Sequence, residues 1–323
     1  VELINQNFVV VIIDNLSNSS IDMLDSIEKI TGTRPDFHKV DLLDIQKSEE
    51  VFAMHSDAFG VIHFAALKAV GESVSKPLEY YQNNITGLLN LLEIMNKFNV
   101  QKFVFSSSCT VYGQPENLPV KEETPFGWTP SPYGASKQMA ERIISDFTYA
   151  YEEFNSINLR YFNPIGAHES AEIGELPTGT PNNLMPFITQ TAAGIREKLS
   201  VFGSDYNTKD GTAIRDYIHI TDLALAHVAA INFLNQKTSS GTNIPINIGT
   251  GTGSTVLEVI QSFERTSGLK LPYEITDRRE GDIEAVWADA NQAKSLLGWE
   301  SKYTLDDMTR SAWKWEKRLR KIV

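Results

Sequence analysis

Tyr133 and Lys137 stand four residues apart in Ser131-Pro-Tyr-Gly-Ala-Ser-Lys137, a stretch that opens a long helical pattern. Residues four apart on a helix share a face, so the ammonium sits beside the phenol. A free tyrosine titrates near ~10, and a base useful at neutral pH needs that lowered by roughly 3 units, or about 4 kcal/mol. One cation about 4 Å away at an effective dielectric of ~20 supplies about that much. An isolated Tyr-x-x-x-Lys is most often an ordinary helix with a surface lysine. The functional reading rests on the preceding run, Lys102-Phe-Val-Phe-Ser-Ser-Ser-Cys-Thr-Val-Tyr-Gly113. It is a β-branched and aromatic strand ending in hydroxyls and a turn glycine, and it could place Ser108 beside the phenol.

The elements that must hold these residues alternate. Val1-Glu-Leu-Ile reads as the last turn of a helix, and Phe8 to Asp14 as a near-continuous apolar strand of the buried parallel kind. A helix near Ile21 to Ile30 closes at Gly32; Phe37 to Leu42 is the next strand, followed by a helix from about Ile45 to His55 and a strand from Gly60 to Ala66. Apolar residues at helical spacing run from Pro77 to Phe98, and again through Met139, Ile143, Phe147 and Tyr151. Pro132 suits a first helical turn, where a missing N–H costs nothing. Ser156 to Tyr161 is another strand. The pattern is that of an α/β chain with a doubly wound parallel sheet of Rossmann type. From Pro164 the composition turns to Gly-, Pro- and Asn-rich loops between shorter elements, which marks a smaller mixed α/β domain. The expected division is therefore residues 1–163 and 164–323. Gly249-Thr-Gly-Thr-Gly253 has the wrong spacing and comes too late for a dinucleotide turn.

Composition narrows the function. The 323 residues suffice for two domains, and a net charge of −12 argues against a general nucleic-acid surface. A single cysteine, Cys109, excludes an internal disulfide and fits a reducing compartment, hence a cytoplasmic location; it reads as a structural thiol rather than a nucleophile. No apolar run approaches the ~18 residues of a membrane span. No residue cluster reads as a metal site.

Five further runs join the Tyr-Lys pair: Phe64-Ala-Ala-Leu-Lys-Ala-Val-Gly-Glu-Ser73, Phe105-Ser-Ser-Ser-Cys-Thr-Val-Tyr-Gly113, Arg160-Tyr-Phe-Asn-Pro-Ile-Gly-Ala-His168, Pro181-Asn-Asn-Leu-Met-Pro186 and Asp210-Gly-Thr-Ala-Ile-Arg-Asp-Tyr-Ile-His219. In this order, over nearly the whole chain, they resemble the extended short-chain dehydrogenase/reductase superfamily, and within it the UDP-galactose 4-epimerase family. The resemblance implies NAD as cofactor and reversible interconversion of UDP-galactose and UDP-glucose through a 4-keto sugar. Tyr133 as phenolate would take the proton of the sugar's 4-hydroxyl, Lys137 would lower the phenol and hold the nicotinamide ribose, and Ser108 would share the hydrogen bond. Asp14, with Asn15, ends the first long strand, where an acid suits the ribose hydroxyls of NAD and repels the extra phosphate of NADP. Asn18 or Ser19 there could equally be a helix N-cap. The resemblance also places Asp41 and Leu42 against adenine, and Phe64, Ala65, Ala66, Lys68, Asn83 and Phe162 around the cofactor. For the nucleotide sugar it implies Arg215 and Arg279 on the diphosphate, with Arg278 the less favoured neighbour. Asn163, Asn182, Asn183 and Leu184 would contact phosphate and sugar, Phe202 the uracil and Asp282 the ribose. A homodimer through a four-helix bundle follows from the same resemblance.

Three departures matter. Relatives begin with a strand and a Gly-rich phosphate turn, so roughly 15–20 further residues are expected ahead of Val1. Val286 stands where some relatives hold tyrosine and others a small residue, so acceptance of UDP-N-acetylhexosamines is an alternative. Nucleotide-sugar dehydratases carry Asp-Glu where this chain has Cys109-Thr110, which disfavours dehydration. A non-catalytic NAD-binding regulator would be expected to lose the tyrosine or the lysine. Neither His168 nor His219 is given a chemical role.

Overall fold

Short β-branched runs alternate with amphipathic helices, and the structure, a computed structural model that describes residues 1–236, 241–279 and 281–322, follows that alternation. After α1 (Glu2–Asn5) come β1 (Val11–Asp14), α2 (Met23–Thr31), β2 (Asp36–Lys39), α3 (Ile45–Met54), β3 (Val61–His63), α4 (Val70–Ser75), α5 (Pro77–Tyr81), α6 (Gly87–Lys97), β4 (Lys102–Ser106), α7 (Pro132–Ala150) and β5 (Asn155–Tyr161). The rest comprises β6 (Asn163–Ile165), α8 (Leu184–Ala192), β7 (Leu199–Phe202), β8 (Ile214–His219), α9 (Ile220–Gln236), β9 (Asn243–Ile248), β10 (Gly253–Thr255), α10 (Val256–Ser267), β11 (Tyr273–Thr276), β12 (Ala285–Val286) and α11 (Leu305–Arg320). Local chemistry sets the ends. Gly32 closes α2 in the left-handed conformation, and Ser131 starts α7 by accepting the Gly134 N–H, with Pro132 in the first turn.

The strands form a Rossmann-type parallel core and a smaller mixed unit. β1 pairs with β2, and β3, β4, β5 and β9 form a four-stranded parallel sheet in that order. Among the described residues no ladder joins β1 to β3, although Ile13 and Val61 pack into one cluster with Phe103, Phe105 and Leu88. The second unit has β8 at its centre, flanked by antiparallel β10 and parallel β12 and β6, with β7 and β11 as a separate parallel pair. The chain returns to the first core. β9 pairs with β5 in register from Ser156 with Asn243 to Tyr161 with Ile248, and α9 packs in the same core, as do Ala293, Leu297 and Trp299. A division at 163/164 thus needs residues 220–248 assigned to the first unit, together with the short return at 293–299.

Several local features differ from the periodicity reading: β1 begins at Val11 rather than Phe8, β2 ends at Lys39 rather than Leu42, and α4 lies where no helix was expected. The helix expected across residues 77–98 is interrupted by a π-helical turn, Gln82–Thr86. The Gly249–Gly253 stretch winds round Asp216. That buried carboxylate accepts from Thr250 N (2.8 Å), Thr250 Oγ1 (2.7 Å), Gly251 N (3.1 Å) and Ala288 N (3.2 Å). A Cβ on Gly249 would meet Asp216 Oδ2 at 2.5 Å, so the glycine serves close approach to a carboxylate.

Candidate active site

The hydroxyl run follows β4 directly, and Ser108 caps the short 3₁₀ turn Cys109–Tyr112 by accepting the Thr110 N–H. On the first turns of α7, Tyr133 and Lys137 are buried, 7% and 4% exposed. The Lys137 Nζ donates to the Ser106 carbonyl at 2.7 Å, lies 4.7 Å from the Phe105 ring centre and 5.9 Å from that of Tyr133. The ammonium therefore spans from helix to strand end, beside the phenol ring.

The titration differs from what the pair alone suggests. Burial raises the Tyr133 phenol above its ordinary value, Tyr161 adds to the rise, and a hydrogen bond with Ser108 opposes it. Lys137 is itself held down to about 8 by burial, with the Glu141 carboxylate pulling it back up. The expected lowering of the phenol by its neighbour does not prevail over burial. Removing a phenolate from water costs more than a cation already spent on a carbonyl returns. The Cys109 thiol is pushed up to about 12, chiefly by burial, which leaves it inert as a nucleophile.

A groove runs along the strand ends. Asp14, Asn15, Asn18, Asp41, Leu42, Ala65, Ala66 and Asn83 line it. Asp14 Oδ1 is taken by the Leu16 N–H (2.6 Å) and the Ser19 hydroxyl (2.7 Å), so Ser19 orients the carboxylate. Oδ2 has no protein partner among the described residues and remains for a ligand's hydroxyls. Asn15 donates to Asp41 at 2.9 Å across the groove. The lining has two carboxylates and no lysine or arginine, which fits a ribose diol and opposes a 2′-phosphate. The residues present therefore fit NAD. Phe64, Lys68 and Phe162, expected around the cofactor, are not part of the groove lining. Phe64 packs on His227, ring centres 4.7 Å apart, because α9 comes against the end of β3. Phe162 is buried in a cluster with Val111, Tyr112 and Val286. The charge of Lys68 falls on Glu175, which Asn183 also engages at 2.7 Å.

Four expected substrate residues converge on one another. Arg279 forms a two-bond pair with Asp282 (3.1 and 2.7 Å), and Arg215 approaches the same carboxylate at 3.7 Å. The Arg279 guanidinium lies 5.9 Å from the ring centre of Phe202, which ends β7 and is 42% exposed. Two guanidiniums against one carboxylate leave net positive charge, suited to a diphosphate. Arg278 turns away to Asp205 (2.7 Å) and the Tyr206 ring (4.0 Å). Asn163 is half-buried at the head of β6, exposed Asn182 and Asn183 precede α8, and Leu184 begins it. Val286 pairs in register with Arg215. Arg215 also lowers the Cys109 thiol, so its charge reaches the residue next to Ser108. His219 stacks on Tyr303 and His168 holds a local turn with Ser170.

Several supporting residues carry no sequence signal. Asn84, in the π-helical turn, accepts from the Leu67 N–H (2.8 Å) and donates to Leu67 O (3.0 Å) and Ser136 Oγ (3.1 Å), fixing the groove wall to α7. The amide expected to face the cofactor, Asn83, donates to Asn84 at 3.0 Å while lining the groove. Beneath the site, Glu141 takes Arg160 through three hydrogen bonds and the Ser107 hydroxyl at 2.5 Å.

A family profile described as GDP-mannose 4,6 dehydratase matches residues 1–312. The UDP-glucose 4-epimerase of Bacillus subtilis is 51% identical, over 98% of this chain and 92% of that protein. The mouse UDP-glucose 4-epimerase is 47% identical, with the same two coverages. Among solved structures, the Stenotrophomonas maltophila UDP-glucose 4-epimerase, with bound NAD and formylated UDP-arabinopyranose, superposes at a TM-score of 0.96 and 45% identity, covering 100% of this chain and 94% of that one. The Bifidobacterium longum UDP-glucose 4-epimerase, in complex with NAD+ and UDP, gives 0.93 at 47% identity, covering 98% and 93%.

Proposed function

The chain belongs to the UDP-glucose 4-epimerase family of extended short-chain dehydrogenases/reductases, and from that premise we propose how its own residues carry the reaction. The reaction is the reversible interconversion of UDP-galactose and UDP-glucose at the sugar C4 through a 4-keto form. When bound, NAD supplies the hydride acceptor and a positive charge beside the phenol. Asp14, Asn15 and Asp41 hold the adenosine half, and Ala65 and Ala66 leave room for it. Tyr133 takes the proton of the sugar's 4-hydroxyl and returns it, Ser108 shares that hydrogen bond, and Lys137 keeps a cation against the phenol ring. Arg215 and Arg279 anchor the diphosphate with Asp282 on the ribose and Phe202 against uracil, so the 4-keto sugar pivots while its nucleotide stays fixed. The observation that carries this reading is a buried phenol hydrogen-bonded with Ser108, whose neighbour Cys109 feels the charge of Arg215. Incubating the protein with NAD and UDP-galactose, followed by a glucose-specific readout, tests it; absence of conversion would defeat it.

Dehydration, which the profile's description names, finds no acid pair after Ser108, only a thiol driven to about 12 and a threonine. Acceptance of UDP-N-acetylhexosamines is favoured by one feature, the valine at 286 paired in register with Arg215. Turnover of UDP-N-acetylglucosamine is its readout. The division at 163/164, with 220–248 and 293–299 returning to the cofactor unit, is proposed as the functional partition. A homodimer through α6 and α7 is supported by Leu89 on α6 and Met139 on α7, each about half exposed, and by exposed Tyr149 on α7. Among the described residues no helix is long and apolar enough to cross a membrane, and the proposed location is cytoplasmic, in keeping with one free thiol.

A further inference from the structure

The outer edge of the cofactor unit carries three convergent ligand atoms that the epimerase reaction does not use. Asp36 and His38 alternate on β2 and share a face of that strand. His55 caps the C-terminus of α3, its N–H closing on Val51 O at 3.1 Å. His38 Nε2 and His55 Nε2 are 3.0 Å apart, and Asp36 Oδ2 lies 3.3 Å from the second and 3.6 Å from the first. The other carboxylate oxygen, Oδ1, is held by the Phe37 N–H at 2.9 Å, which leaves Oδ2 facing the two imidazoles.

We propose that Asp36, His38 and His55 bind one divalent transition-metal ion of zinc type. A tetrahedral ion with bonds of about 2.0–2.1 Å sets its ligand atoms about 3.3 Å apart, and the three observed separations bracket that value. The ion would therefore seat above the triangle with little movement of the side chains. Two imidazole nitrogens and one carboxylate oxygen select zinc, cobalt or nickel over magnesium or calcium. Both imidazoles are partly open to solvent and Asp36 is exposed, so water completes the fourth position. In the metal-free chain the same atoms make a hydrogen bond between the two imidazoles. The ion would clamp β2 to the end of α3. The chain beyond β2 goes on to Asp41 and Leu42 in the groove wall, so the clamp would stiffen the cofactor unit without touching the reacting atoms.

The test is titration of the chelator-treated protein with Co2+, followed by visible absorption. The expected result is the d–d spectrum of four-coordinate cobalt, saturating at one ion per chain and displaced by Zn2+. His38→Ala and His55→Ala should each weaken binding by roughly tenfold or more, whereas His168→Ala should leave it unchanged. Zn2+ should raise the Tm of the wild type and not that of the His38/His55 double variant. Absence of saturable binding to the wild type would overturn the site, and so would undiminished affinity in both single variants. The wild-type titration decides even where a variant folds poorly.

Discussion

Burial governs the titration of Tyr133 and Lys137, the proposed catalytic pair, and that has a measurable sign. The folded chain releases the Lys137 proton near 8, whereas the unfolded chain keeps it to the ordinary 10.5. Between these values the unfolded state binds more protons, so this lysine makes stability rise with pH. Tyr133 acts oppositely, since its raised phenol contributes stability that is intact below 10.0 and lost above it. From about pH 8 to pH 10, the Tm of the wild type should rise relative to that of Lys137→Met, and parallel curves would contradict the burial argument. At the other ligand, Arg279→Ala should raise KM for the nucleotide sugar by about tenfold to a hundredfold with a much smaller change in kcat. Steady-state kinetics checks this, and an unchanged KM would remove Arg279 from the diphosphate site. That Tyr133 and Lys137 share a helix face was legible from their spacing, and the hydroxyl-ended strand before them singled the pair out. The Lys137 hydrogen bond to Ser106 was not, since that carbonyl arrives from a strand some thirty residues earlier. Asn84 was hidden by a π-helical turn that no periodicity signals.

At the level of elements, Glu141 joins α7 to β5 through Arg160 and to the end of β4 through Ser107, all in the interior. Removing one member of a buried pair leaves the other charge unpaired, at a cost of about 3–5 kcal/mol. Glu141→Ala should therefore lose about that much in chemical denaturation, and a loss below about 1 kcal/mol would show the pair to be dispensable. The element order through β5 was largely readable because β1, β3, β4 and β5 carry apolar runs and the longer helices are amphipathic; α4 (Val70–Ser75) is too short to show a period. The return of β9 to the first sheet was not. Its pairing with β5 joins residues more than eighty positions apart, and no local pattern records such a register. The glycines of residues 249–253 were set aside as a dinucleotide turn on their spacing, but the reason for them, a buried carboxylate at Asp216, belongs to tertiary contact.

Across the whole molecule, the proposed reaction needs the groove of the first unit and the arginine pair of the second to serve one phenol. Backbone hydrogen bonds tie the two units together. Val120 N–H donates to Trp287 O at 2.9 Å, and the Asp289 N–H donates back to Val120 O at 2.7 Å. The chain's mass is 36.1 kDa, so the proposed homodimer should give twice that by light scattering; a monomer at assay concentration would remove the helix-bundle proposal. The most direct test of the central claim is the turnover of UDP-galactose by Tyr133→Phe. Loss of the acid–base group should cut kcat by about 10²–10⁴-fold while UDP still binds as tightly as to the wild type. Turnover within a few-fold of the wild type, with binding intact, would show that Tyr133 does not move the proton.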